Sequence, residues 1–232
     1  FELAGIPLVG CGTASSALCM DKDRAHKLVS AEGISVPQSF ALNQSGGMET
    51  ARRAAERIGY PLFVKPVRAG SSFGISRVTE RSALDGAVRL AFQYDDTVLL
   101  EQAIEGFEIG CAVMGCETLT VGELDEVELS GGFFDYTEKY SLKTSTLHVP
   151  ARISFEKSDQ IKNTAKIIYR ALGCSGCARV DVFCTPQGKI VFNEVNTIPG
   201  FTSHSRFPNM MKAAGVSFEE VITRAIEQAV GV

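Results

Sequence analysis

The stretch ARVDVFCTPQGKIVFNEVNTIPGFTSHSRFP, Ala178 to Pro208, holds two short runs rich in Val, Ile and Phe. The runs Arg179–Cys184 and Lys189–Val195 flank Thr185-Pro186-Gln187-Gly188, and a Pro/Gly break between two such runs predicts a β-hairpin. Strand alternation puts Arg179, Asp181 and Phe183 on one face and Val180 and Val182 on the other. On the second strand Phe192, Glu194 and Asn196 share a face, so the hairpin gathers Asp181, Glu194 and Asn196 with Arg179 beside them. Three hard oxygen donors on one face suit Mg²⁺ carried with a nucleotide's phosphates, an ion that keeps waters and takes one or two protein carboxylates. The same pattern also describes a solvated polar face opposite a core face, and the hairpin alone leaves both open. Thr197 to Arg206 then follow as a polar, Gly/Pro-broken loop at a strand end, where binding groups collect.

Composition narrows the class. A chain of 232 residues, 45% of them hydrophobic, can bury a real core and is not disordered. The net charge is −4 with acids and bases mixed along the chain, and no basic block points to nucleic acid. No apolar run reaches the ~18 residues of a membrane span, and no signal-peptide pattern is seen. Seven cysteines, an odd number in mostly apolar surroundings, predict a reducing, cytoplasmic setting rather than a disulfide framework. Cys174-Ser-Gly-Cys177 is a lone C-x-x-C without a second pair or His partners at metal spacing, so buried thiols are expected there.

Outward from the hairpin, Gly5–Gly10 reads as a short strand. The following Gly10-Cys-Gly12-Thr-Ala-Ser15 lacks the third glycine of a dinucleotide fingerprint and is set aside. Asp21 caps a helix from Lys22 to Glu32, stopped by Gly33. Lys22 lies in its first turn, against the dipole, which suits an anion or a solvated side chain equally. Gln38–Leu42 is read as a strand and Met48–Ile58 as a helix. Pro61–Val67 is a strand carrying Lys65, and a return strand covers Ile75–Val78. Between them Gly70-Ser71-Ser72-Phe73-Gly74 is either a phosphate-wrapping loop or a plain turn. A helix over Thr79–Tyr94 leads to strands Thr97–Ile104 and Phe107–Met114 around a Gly106 turn. Residues 130–146 form a long loop with aromatics and Lys139, of a length that marks a lid or disorder. Helices over Glu156–Leu172, Phe207–Ala214 and Phe218–Val230 complete an α+β chain.

Taken together, KPVRAGSSFG, FDYTEKY, ARVDVF and NEVNTIPGFTSHSRFP resemble the ATP-grasp ligases, and among them the D-alanine–D-alanine ligase family. The resemblance covers essentially the whole chain. It implies an ATP-grasp fold in which two α+β subdomains sandwich ATP, over 21–102 and 103–232, with a lid at 130–146. Residues 1–20 are then the remnant of a preceding domain or linker. That domain, which in the family supplies a Glu for the first D-alanine's ammonium, is expected to lie outside the sequence, as the start at Phe1 also suggests. The resemblance further implies D-alanine as first substrate, no nucleic-acid or membrane partner, and a homodimer at full length.

It also implies roles for individual residues. Lys22 and Lys65 would hold ATP phosphates under the Ser71/Ser72 loop. Glu101, Gln102 and Ile104 would meet adenine, and Glu108 the ribose. Asp181, Glu194 and Asn196 would carry two Mg²⁺ ions, with Mn²⁺ as a substitute, and Lys139 would reach the γ-phosphate from the lid. Arg179 and the Gly200 backbone would stabilise the oxyanion, with Ser71 also in the catalytic set. Ser205 would bind the second substrate's carboxylate, with Tyr140 and Phe134 nearby. The chemistry implied is attack of D-alanine's carboxylate on the γ-phosphate, then displacement of phosphate from the acyl phosphate by the second substrate's amine. Arg206 stands where ordinary family members resemble each other in an apolar residue. Together with the Glu138-Lys139-Tyr140 lid pattern it is most similar to the vancomycin-resistance D-alanine–D-serine ligases. An arginine there can hydrogen-bond the hydroxyl of D-serine, or else simply pair with an acid.

Overall fold

The computed structural model describes residues 1–129, 145–202 and 204–231. Helix α1 (Thr13–Met20) runs into α2 (Lys22–Ala31) through Asp21, whose carboxylate accepts the Arg24 amide at 3.0 Å as an N-cap. Next come β1 (Ser39–Asn43), α3 (Gly47–Ile58), β2 (Leu62–Pro66), β3 (Ser76–Val78), α4 (Arg81–Ala91) and β4 (Thr97–Gln102). Two long strands follow, β5 (Phe107–Gly115) and β6 (Leu119–Leu129), then β7 (Ser145–His148) and α5 (Phe155–Ala171). The chain finishes with β8 (Cys177–Cys184), β9 (Ile190–Asn196), α6 (Arg206–Ala213) and α7 (Phe218–Val230). Among the described residues no helix is long and apolar enough to cross a membrane.

The strands form two antiparallel sheets, ordered β1-β4-β2-β3 and β7-β6-β5-β8-β9. On the smaller sheet, Ala51, Ala54 and Ala55 of α3 and Leu84, Val88 and Ala91 of α4 repeat at helical spacing and pack on Leu62, Val64, Val98 and Leu100. The larger sheet is covered on both faces. Ile161, Ala165, Ile168 and Tyr169 of α5, with Ala25 and Val29 of α2, pack on Ile109, Cys111, Val113, Val180 and Val182. On the opposite face Phe207, Met210 and Met211 of α6 and Val221 and Ala225 of α7 pack on Ala112 and Met114. Cys11 and Cys19 also belong to the first of these cores, so α1 and α2 lean on the larger sheet.

Most expected elements are present with ends shifted by one to three residues, and four points differ. No strand forms over Gly5–Gly10, where Ile6, Leu8 and Val9 are exposed and no strand among the described residues offers them a ladder. Strands β6 and β7, unread in the sequence, give β5 a second ladder and add two strands to that side of the sheet. Phe192 does not share the Glu194 face. Asp181 pairs with Glu194 but Val182 pairs with Phe192, so Asn193 is the extra residue of a β-bulge that switches the alternation. Phe192 is thereby fully buried among Val180 and Val182. Finally, helix α1 over Thr13–Met20 was unread in the sequence. The C-x-x-C is two free, buried thiols as expected, and burial pushes that of Cys177 up to about 11.

The bulge gives a direct test. Phe192→Ala should destabilise the protein by about 3–5 kcal/mol in urea titration, the cost of emptying a core aromatic site. A loss below about 1 kcal/mol would return Phe192 to the polar face.

Candidate functional site

The β8–β9 register sets Arg179 opposite Asn196 and Asp181 opposite Glu194, as alternation on the hairpin requires. Arg179 grips Asp181 in a fork, Nε and Nη2 each donating at 2.8 Å, and Asn196 Nδ2 donates to the same carboxylate at 2.8 Å. Two carboxylates and an amide are hard oxygen donors. Among the described residues no three His, Cys, Asp or Glu side chains are grouped to hold a metal alone. A cation on Asp181 and Glu194 would therefore complete its shell from phosphate oxygens and water, which is the habit of Mg²⁺.

Next to this hairpin lies a second fork. Arg206 opens α6, and its Nε and Nη2 donate to the two oxygens of Asp125 on β6, both at 2.7 Å, while Nη1 donates to Glu108 Oε1 on β5 at 3.0 Å. Asp181 Oδ1 stands 3.8 Å from Nη2. Burial alone would raise the Asp125 carboxyl, but the Arg206 charge and its hydrogen bonds, with Arg179 and the Gly110 amide, hold it below the ordinary range. Space for the fork exists because residue 110 is glycine: a Cβ there would fall 2.4 Å from Asp125 Oδ1 and 2.5 Å from Arg206 Nη2. A Cβ on Gly200 would likewise fall 2.7 Å from Ser205 Oγ, which accepts the Thr202 amide at 2.9 Å.

Between the two sheets is a cavity of about 380 Å³ lined by Lys22, Lys65, Ser72, Glu101, Gln102, Ile104, Glu108, Asn193 and Glu194, among others. Eight of the expected binding residues thus meet in one place, and Asn193, at the bulge, joins them. Lys22 Nζ donates to the Ala69 carbonyl at 2.8 Å, tying α2 to the Gly/Ser loop. In that loop Ser71 and Ser72 have φ of 52° and 60°, a left-handed conformation uncommon outside glycine and concentrated at functional turns. Lys65 Nζ lies 2.5 Å from Glu101 Oε1, and both residues are buried. Arg179, Asp181 and Asn196 flank the cavity through Glu194. Lys139, Tyr140 and Phe134, with the expected lid over 130–144, lie outside the described residues, and the last two residues of that expected loop begin β7 instead.

Sequence reasoning missed Asp125, His26 and Asn193. Asp125 sits in LTVGELDEVEL, where both faces of a central strand are buried and no alternation marks it. His26 follows Lys22 by one helical turn and so shares its face, a signal that was available.

Residues 28–227 match the family model described as D-ala D-ala ligase C-terminus. The chain belongs to the D-alanine–D-alanine ligase family. It is 46% identical to the vancomycin C-type resistance protein VanC1 of Enterococcus gallinarum, over 98% of this chain and 67% of that protein. Identity to the vancomycin/teicoplanin A-type resistance protein VanA of Enterococcus faecium is also 46%, over 97% of this chain and 66% of the relative. Among solved structures, the VanG D-Ala:D-Ser ligase of Enterococcus faecalis superposes with a TM-score of 0.92 at 59% identity, covering 99% of this chain and 67% of the other. The D-alanine–D-alanine ligase of Bacillus anthracis, solved with ATP, gives 0.84 at 27% identity, covering 99% of this chain and 72% of that one. The chain thus spans about two thirds of the length of these family members, and its α+β fold is the family's ATP-grasp fold.

Asp125→Ala leaves a buried guanidinium without its main partner and should cost about 3–5 kcal/mol, read by urea titration. Because the folded pKa of Asp125 is depressed, its contribution is complete above the unfolded value of about 3.9 and is lost as pH falls through the lower folded value. A variant whose acid unfolding matches the wild type's would contradict the pairing.

Proposed function

We propose that this chain carries the nucleotide and second-substrate sites of an ATP-dependent ligase that joins D-alanine to D-serine by way of a D-alanyl phosphate. Its place would be in making modified cell-wall precursors that give vancomycin resistance. The single observation behind the D-serine assignment is the buried Arg206 fork beside the Asp181–Glu194 hairpin. The names of the relatives agree with it: VanG is a D-Ala:D-Ser ligase, and VanA and VanC1 are vancomycin resistance proteins. Relatives named D-alanine–D-alanine ligase reach 44% identity, so dialanine synthesis is the second reading.

Bound between the smaller sheet, within 21–102, and the larger, within 103–232, Mg²⁺–ATP would supply the phosphoryl group that activates the first substrate's carboxylate. Lys22 and Lys65 supply cations toward the phosphates, and the strained Ser71–Ser72 turn supplies backbone N–H groups. Glu101, Gln102 and Ile104 meet the base at the end of β4, and Glu108 takes the ribose hydroxyls. Asp181, Glu194 and Asn196 hold the metal. Arg179 and the Gly200 backbone are set to stabilise an oxyanion, and Ser205, at the start of α6, offers a hydroxyl to a carboxylate. Lys139, Tyr140 and Phe134 would close the site against water from the lid.

Arg206 acts in this scheme as a fixed donor. Among the described residues Asp125 and Glu108 use three of its five N–H groups. The remaining donors are the ones this reading assigns to a substrate hydroxyl, and a site built around such a bond discriminates against the analogue that lacks the hydroxyl.

Two experiments on the full-length protein test the proposal. Glu194→Gln should lower Mg²⁺-dependent phosphate release by at least about a hundredfold with little change in thermal midpoint, and Asp181→Asn should lower it as far while also lowering the midpoint, because it weakens the Arg179 fork. Selectivity is best probed by removing Arg206 and Asp125 together, as Arg206→Met with Asp125→Asn, so that Asp125, its most buried partner, is not left as an unpaired charge. With D-serine and D-alanine in competition, the dipeptide ratio should move toward dialanine by about ten- to a hundredfold. An unchanged ratio would remove Arg206 as the selector.

A further inference from the structure

One group behind the cavity lining, against Glu101 and Asn193, has no part in the scheme above. His26 on α2 is 3% exposed, and its Nε2 lies 2.9 Å from the Asn193 carbonyl at the β9 bulge. A carbonyl only accepts, so Nε2 carries the hydrogen, and in a neutral ring Nδ1 is then a lone pair. That lone pair faces Glu101 Oε2 at 3.8 Å. Both atoms are buried and neither has a hydrogen-bond partner. Two acceptors face each other, and one proton between them would satisfy both. Such orphaned atoms are costly in a native core and call for a reason.

Burial, helped by two nearby lysines, disfavours that proton. Burial lowers the His26 pKa most, Glu101 and the Asn193 carbonyl push it up, and Lys65 and Lys22 push it down again. Those groups come from four elements: Glu101 from β4, Lys65 from β2, Lys22 from α2 itself, and Asn193 from β9, whose Phe192 ring meets His26 edge-on at 5.4 Å. Lys65 is presently the cation on Glu101. A polyphosphate in the cavity would act on the charged neighbours in one direction. It neutralises Lys22 and Lys65, which removes their repulsion of a charged imidazole. It also draws Lys65 N–H groups away from Glu101, which leaves a buried carboxylate needing another donor.

We propose that His26 takes up a proton from solvent at Nδ1 when nucleotide binds, keeps it, and hydrogen-bonds through it to Glu101 Oε2 as Lys65 turns to the phosphates. The ring then bridges the two sheets as a cation, from Glu101 on the smaller to the Asn193 carbonyl on the larger. This places His26 as a positioning residue: it holds the bulge next to Glu194 in register with the Lys65–Glu101 pair. The inference rests on reading Lys22 and Lys65 as phosphate ligands.

Isothermal titration of the full-length protein with the Mg²⁺-saturated β,γ-imido analogue of ATP, near pH 7 in buffers of differing ionisation enthalpy, measures the proton directly. The observed enthalpy should vary linearly with buffer ionisation enthalpy, with uptake on the order of half a proton per site. A proton carried in by the nucleotide would be released and give the opposite sign. Because the bound state holds more protons, affinity should weaken as pH rises, by up to about tenfold per pH unit between the free and bound His26 pKa values. His26→Gln keeps an N–H for the Asn193 carbonyl and should abolish the buffer dependence. Tight binding with a buffer-independent enthalpy in the wild type would overturn the proton step and leave the nucleotide reading standing, and this series decides the matter even if the variant does not fold. Uptake that persists in a folded His26→Gln protein would assign the proton elsewhere. Failure of the wild type to bind the analogue would overturn the nucleotide reading and this step with it.

Discussion

A guanidinium taken out of water must be met by charge and hydrogen bonds on every side it presents, and Arg206 imposes that demand on the larger sheet. Its partners come from three neighbouring strands, Glu108 from β5, Asp125 from β6 and, at longer range, Asp181 from β8. The side chains can converge only if the central strand has no side chain beneath them, which Gly110 provides. The start of α6 is thereby fixed over the sheet, and the buried residues Phe207, Met210 and Met211 follow from it into the second core. Replacing such a cluster by apolar residues is often neutral for stability, whereas removing one member is costly. Its persistence here is better explained by what it positions than by what it contributes to folding.

The second constraint is the single extra residue in β9. Without the bulge, strict alternation would carry Phe192 and Glu194 to the same face, and one of them would be misplaced. With it, Phe192 enters the core and Glu194 stays opposite Asp181. The bulge also turns the Asn193 carbonyl toward α2, where His26 meets it. One local irregularity thus settles the fate of a core aromatic, a site carboxylate and the contact that joins helix to sheet.

The hairpin, its register at Asp181 and Glu194, the capped α2 and the amphipathic α5 were legible because each is written in adjacent residues: a Pro/Gly break, an Asp before a helical run, a 3.6-residue period. The bulge was not, since nothing in KIVFNEVN distinguishes a regular strand from one with an extra residue. Strand β6 escaped because a strand buried on both faces, with Asp125 and Glu126 both inside, loses the alternation that reveals half-buried strands. The Arg206 environment was legible only in part. The sequence shows an arginine in an unusual place, but Asp125 lies 81 residues away in a stretch with no local signal. Charge pairs that span such a separation are decided by topology, which single-sequence patterns do not carry.

The cavity lining carries more acid than base: Lys22 and Lys65 against Glu101, Glu108, Glu126, Glu128 and Glu194. Taken at face value this would repel a polyphosphate. Most of these acids are matched within the fold, Glu101 by Lys65, Glu108 by Arg206, and Glu126 and Glu128 by Arg152, with His148 also on Glu128. Asp181, behind the lining, is likewise held by Arg179. Their fields are largely cancelled at short range, so the excess of acid that an incoming anion meets is smaller than a count of side chains suggests. If phosphates bind here as proposed, a divalent cation between them and Glu194 would offset what repulsion is left, because like charges brought together in a half-buried cleft cost several kcal/mol at an effective dielectric of about 20. A further proton on the His26 imidazole would lower the cost of filling the cleft in the same way.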